Sequence, residues 1–299
     1  MPDTPGITLL CCGLLGCLVT DEGVIERSYA EAIATQGVVS GTSAFARRMA
    51  QVHQARGRPP GDVLSLLFPD NEARALAAGL AFDRALIDGL RRVAVAVAPG
   101  VIEALTRLRG DGLRVSVLSS FSPRILDVVL DATGLGRHID LALCADDAPR
   151  GFPAPDLVLA AVLRTGTDAV AAVAVADATS AGVTAGHRAG AGVVVGLLTG
   201  PHSATRLHEA GANQVLSSFT EMPALLGATA SALTDAGHAG GPAAPVPRLP
   251  GCEQTGRAPG EGSSAGQAPG HPSRQGTPAA QPTISVPARV PPPRGGTAR

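Results

Sequence analysis

From about residue 97 onward the chain switches repeatedly between short, almost wholly apolar runs and segments of helical periodicity, and few folds accommodate that alternation. Val101, Leu105 and Leu108 stand at i, i+4 and i+7 ahead of Gly110, which predicts a helix, and 113–118 follows as a buried strand. Ser122 and Pro123 supply an N-cap and a first-turn proline for a helix through about Ala132. Further strands are predicted at 139–143, 171–176 and 192–197, with helices at 155–163 and 183–189 between them. Apolar strands alternating with helices imply a parallel sheet covered on both faces. The opening run, 7–12, supplies one more such strand.

Between that first strand and the later alternation, the sequence reads as helices only: 24–34, 43–55, 62–67 and 71–90. An insertion after the first strand lies at the carboxyl edge of a parallel sheet, where open α/β sheets place their ligands, and is expected to act as a lid. The expected organisation is an α/β core at 1–21 and 96–227, a helical cap at 22–95 and a tail at 228–299. The tail is rich in Gly, Pro, Ala and Ser and has no aromatic residue, so it cannot bury enough apolar surface to offset its ordering entropy. It is expected to be disordered. Its segments 247–250 and 289–294, the latter "RVPPPR", have the spacing of polyproline ligands and make the tail a candidate for a partner of its own.

The formal net charge is −1 and every cationic side chain other than histidine is an arginine. That balance gives no basic field for nucleic acid or an anionic membrane, and no partner of either kind is expected. No apolar stretch reaches the roughly 18 to 20 residues that span a bilayer. The first apolar run has Asp3 before it and no Lys or Arg, which argues against a secretory signal, even though Leu14, Leu15, Gly16 and Cys17 resemble a lipoprotein box. Of the cysteines Cys11, Cys12, Cys17, Cys144 and Cys252, three crowd the first strand and its exit, which is no disulfide framework. Adjacent Cys11 and Cys12 point to opposite faces of a strand and cannot easily share a metal. They read as small buried hydrophobes in a reducing compartment, and the expected location is the cytoplasm.

The segments "APGVIEALTRLRGDGLRVSVLSSFS", "RGFPAPDLVLAAV" and "VADATSAGVTAGHRAGAGVVVGLLTG", behind a strand and a helical lid, resemble the haloacid dehalogenase superfamily, in its phosphonatase-like branch. The resemblance covers residues 7 to about 226. It implies a Rossmann-like three-layer core with an inserted helical cap, and chemistry carried on four loops at the strand ends. The first loop of the family reads D-x-D/A-G-T, whose leading Asp attacks phosphorus and binds Mg²⁺; the aligned positions here are Gly13 and Leu15. The second needs a phosphate-binding Ser or Thr, matched by Ser119 with Ser120 beside it. The third, "RGRP" in the branch, is "RGFP" here, with Phe152 at the cationic position and Arg150 two residues away.

The fourth loop, G-D-T-x-x-D, holds the metal through its acidic residues; aligned on Ala185 and Gly186 it places Ala178 and Gly182 at the acidic positions and Asp177 at the glycine. Phosphonatases also use a cap lysine; the matching position is Pro60, and the chain has no lysine. The resemblance therefore implies a hydrolase-fold protein without its usual catalytic groups. No cofactor is expected, and the roles left to it are binding or regulation through a small-molecule ligand in an apolar cleft lined by Leu15, Ser119 and Phe152, a homodimer through the cap, or the tail, or no retained role at all. The alternative is an active hydrolase of a small phosphorylated or phosphonate metabolite using the displaced groups Asp177, Asp21 and Arg150. Mg²⁺ is expected only in that case. Asp21 with Thr20 also suits the start of the first cap helix.

Overall fold

A computed structural model describes residues 6–227. The tail expectations, Asp3 and Cys252 lie outside the described residues. Six strands form one parallel sheet in the order β3-β2-β1-β4-β5-β6, with β1 at Leu9–Gly13, β2 at Arg114–Leu118, β3 at Leu141–Leu143, β4 at Val173–Asp177, β5 at Val193–Leu197 and β6 at Gln214–Leu216. The strand order reverses between β1 and β4. In an open parallel sheet such a reversal splays the following connections to opposite faces and opens a crevice beyond the carboxyl ends of the two strands.

Alternation along β1 divides its side chains between two apolar layers. Leu10 and Cys12 pack with Leu105 and Leu108 of α5 (Val101–Gly110) and with Ile125 of α6 (Pro123–Thr133). Leu9 and Cys11 pack on the other side with Leu157 and Val158 of one helix, Asp156–Thr165, and Ala185 of the next, Ser180–Ala189. The two adjacent cysteines do face opposite layers. Burial on both sides explains why β1 is apolar at every position rather than at alternate ones.

Four helices, α1 (Val24–Thr35), α2 (Ser43–Ala55), α3 (Pro60–Leu67) and α4 (Glu72–Arg92), lie between β1 and α5. The two linkers of this insertion pair with each other: Ala98 N donates to Leu18 O at 2.9 Å and Thr20 N to Ala96 O at 3.3 Å. Inside it, Tyr29 of α1 meets Phe82 of α4 with ring centroids 4.3 Å apart. Phe82 in turn lies 6.3 Å from Phe121, in the loop after β2, and so joins the insertion to the sheet. The helices Asp156–Thr165 and Ser180–Ala189 are α7 and α8, and Ala204–Glu209 is α9.

Three local expectations need correction. Ser122 stands at the N-cap of α6, but its hydroxyl donates to Asp83 Oδ2 of α4 at 3.2 Å instead of capping the helix. α1 is preceded by Gly23 in the left-handed conformation, with Asp21 Oδ1 accepting from Gly23 N at 3.0 Å, so Asp21 makes a turn ahead of the helix and not its cap. α8 begins three residues before the expected Val183, because Thr179 Oγ1 caps it by accepting from Gly182 N at 3.2 Å. β6 and α9 have no counterpart in the sequence reading, being three and six residues long and too short to show a period.

Phe82 is fully buried where the insertion meets the core. Phe82→Ala should lower unfolding free energy by about 3 to 5 kcal/mol. Chemical denaturation followed by circular dichroism would measure it.

Candidate functional site

The crevice at the strand reversal is a cavity of about 30 Å³, lined by residues that include Gly13, Leu15, Arg56, Gly57, Ser119, Ser120, Phe152, Asp177 and Thr179. Leu15, Ser119 and Phe152 are thus brought together as the sequence suggested, but the lining is mixed and not simply apolar. Ser119 is fixed at the end of β2: its N–H donates to Leu143 O at 2.9 Å, and its hydroxyl accepts from Phe121 N at 3.2 Å. Phe152 is buried against α7 and α8 in the layer that also holds Cys11.

Asp177 closes β4 and points into the crevice beside Gly13. A Cβ placed on Gly13 would stand 2.5 Å from Asp177 Oδ2, and one placed on Gly182 would collide with the same carboxylate group. The carboxylate therefore occupies space that is free only because both positions are glycine. Its Oδ1 accepts from Thr179 N and from Thr179 Oγ1, each at 2.7 Å. Burial raises its pKa from 3.8 to about 6, and the Thr179 bonds offset only part of that rise.

The other sequence candidates lie elsewhere. Asp21 Oδ2 is paired at 3.0 Å with Arg56, which also reaches Glu26 at 3.3 Å. Arg150 is bound through two nitrogens to Asp156, its side chain is 70 % exposed, and it does not line the cavity. Ala178 is buried just beyond β4 without lining the cavity, and Gly182 sits in the first turn of α8. Pro60 begins α3 at the rim, where its neighbour Pro59 packs against Gly151.

Sequence reasoning missed Arg56, whose side chain is 8 % exposed, as well as Gly57 and Thr179. The only signal available was the pair Arg56 and Gly57 ahead of two prolines; nothing in that string says the arginine turns inward.

A family model described as haloacid dehalogenase-like hydrolase matches residues 14–190. The chain belongs to the haloacid dehalogenase-like hydrolases. Its likeness within them is to phosphonatase-like members. Over 104 residues it is 35% identical to a phosphonoacetaldehyde hydrolase of Pseudomonas putida, a match covering 34% of this chain and 38% of that relative's length. A hydrolase from Pseudomonas syringae superposes with a TM-score of 0.64 at 23% identity, over 74% of this chain and 98% of the other. A phosphonoacetaldehyde hydrolase-like protein from Oleispira antarctica gives 0.67 at 17% identity, over 78% and 95%.

The residues present do not fit the magnesium ion that the family implies. Mg²⁺ demands six oxygen ligands in an octahedron at about 2.0 to 2.1 Å and keeps several waters among them. Among the described residues, no group of three His, Cys, Asp or Glu side chains is placed to hold a metal. In this haloacid dehalogenase-like chain the single carboxylate on the cavity has one oxygen taken up by Thr179 and the other faced by two glycines. Nor is any helix among the described residues long and apolar enough to cross a membrane.

The raised pKa makes the stability of the fold depend on pH in a defined direction. Asp177 contributes stability that is present below about 3.8 and lost as pH rises through about 6, since the folded state holds the proton more tightly. The difference is worth at most about 3 kcal/mol. His202, which burial pushes down to about 4, acts in the opposite sense over the same range, so only a variant comparison isolates the carboxylate. Asp177→Asn should raise the melting temperature relative to wild type at pH 7 but not at pH 4, as read by calorimetry.

Proposed function

We propose that this chain uses a hydrolase fold without hydrolase chemistry and serves as a binding or regulatory protein. The packing of Asp177 between Gly13 and Gly182 carries the reading. The resemblance assigns acidic residues to both glycine positions, one of them the attacking nucleophile. Phosphoryl transfer needs a carboxylate aimed at phosphorus and positive charge to neutralise the oxygens around it. Here the one carboxylate accepts from its own loop, the position of the family's cation is Phe152, and Arg56 is engaged by Asp21 and Glu26. Two neutral glycines beside one buried carboxylate also avoid the mutual repulsion of a carboxylate cluster without a cation.

One observation favours a second reading. Asp177 Oδ2 stands in the volume that a side chain at Gly13 would enter, the place of a displaced nucleophile toward a small phosphorylated or phosphonate metabolite. The phosphonoacetaldehyde hydrolases to which the chain is similar supply the substrate to try. Wild-type protein should give no turnover of phosphonoacetaldehyde or an aryl phosphate with magnesium. Turnover that vanishes in Asp177→Asn would replace the first reading by the second.

The same packing predicts the outcome of rebuilding the missing group. Gly13→Asp alone should lower the melting temperature and yield no activity, because the new side chain meets Asp177. Adding Asp177→Gly to that variant should recover most of the loss.

A further inference from the structure

α2 ends at Ala55, and its last carbonyls have no partner within the helix, as at any helix end. No left-handed glycine follows at once to fold the chain back over them: the residue after the helix, Arg56, is extended, with φ −50° and ψ 138°. Two of these carbonyls are instead taken up by side chains of the sheet-bearing core. His202, in the connection after β5 and 3% exposed, accepts from Ser180 N at Nδ1 over 2.8 Å. An imidazole nitrogen that accepts carries no proton, so in the neutral ring the proton sits on Nε2, 3.2 Å from His53 O. Arg206 of α9 donates to Gln54 O at 2.6 Å and to Ser180 Oγ at 3.4 Å.

Beyond those two carbonyls the chain continues directly over the cavity. Arg56 is tied to Asp21 at the root of the insertion. Gly57, at φ +92°, lies so close to the Thr179 side chain that no other residue fits, and Pro59 packs on Gly151. Arg56 and Gly57 both line the cavity that Asp177 and Thr179 face. We infer that residues 53–59 form a strap held shut over the crevice by a latch of His202 and Arg206, and that access to the crevice is controlled by release of this latch. Ser180, which follows Thr179 on α8, is bonded by both latch residues, so strap and site share one short stretch of backbone. The inference goes beyond the reading above and holds whether or not the crevice carries out chemistry.

Trypsin tests it on the full chain, because the Arg56–Gly57 bond is cleavable only when the strap leaves the core, whereas the bond before Pro59 resists the enzyme. Cleavage after Arg56, timed by mass spectrometry, reports the open population while reclosing outpaces cutting. Cleavage after Arg114, within the interior strand β2, reports global unfolding. Wild type should resist at both. Arg206→Ala and His202→Ala should each speed cleavage after Arg56 by about tenfold or more and leave Arg114 unchanged. Arg206 is only half-buried, so Arg206→Ala gives the decisive result if His202→Ala does not fold. Gly57→Ala, which drives a methyl into Thr179, should act like the latch variants. Ready cleavage of wild type after Arg56, an unchanged rate there in Arg206→Ala, or parallel rises at Arg56 and Arg114 would each overturn the inference.

Discussion

Asp177 can stand buried at the end of β4 because Gly13 and Gly182 bring no side chain against it, and because Thr179 offers two donors to one of its oxygens. Neighbouring features depend on that arrangement. Thr179 is held in place by serving the carboxylate while it caps α8, so the helix start, the strand end and the crevice wall are one hydrogen-bonded unit. Gly57 completes it from the insertion by pressing its backbone on the same threonine. A change at any of these positions would be felt by the others, since they share contacts.

The charges around the crevice are kept apart. Among the described residues no cation forms a salt bridge with Asp177, and its burial is offset by hydrogen bonds to Thr179. Arg56, the arginine on the same cavity, is engaged by Asp21 and Glu26 at the root of the insertion. Removing either acid would leave a desolvated guanidinium partly unpaired, which costs more than an intact pair contributes. The arrangement uses the arginine to fasten the insertion and leaves the carboxylate to its own loop.

The parallel sheet was legible because β1, β2, β4 and β5 are almost wholly apolar, broken inside β2 only by Ser116, and double-sided burial favours such runs. The helical insertion after the first strand pointed to the carboxyl edge of the sheet, and hence to where a site belongs; the reversal between β1 and β4 became visible only in the sheet order. The site itself was legible only in part. Gly13 and Ser119 could be placed by resemblance because they stand at the ends of β1 and β2, and Phe152 because it lies in the loop that leads into α7. Arg56 could not, because its inward turn depends on Asp21, 35 residues earlier. Nor could the relation of Asp177 to two glycines, one of them far away in sequence: a space left by absent side chains has no periodicity to betray it. Ser122 shows the same limit in reverse, as its local capping signature was overridden by Asp83 across the interface.

The pairing of residues 18–20 with 96–98 bears on how the molecule assembles. Both ends of the helical insertion emerge from the core side by side, clasped by backbone hydrogen bonds that call for no particular side chain. Seen from the sheet, the four helices amount to a closed loop whose ends already meet, and the entropy of closing a loop grows only slowly with its length. The clasp therefore sets where the insertion leaves and rejoins the core through backbone alone, while Phe82, Asp83 and Gly57 decide how its helices lie against the sheet.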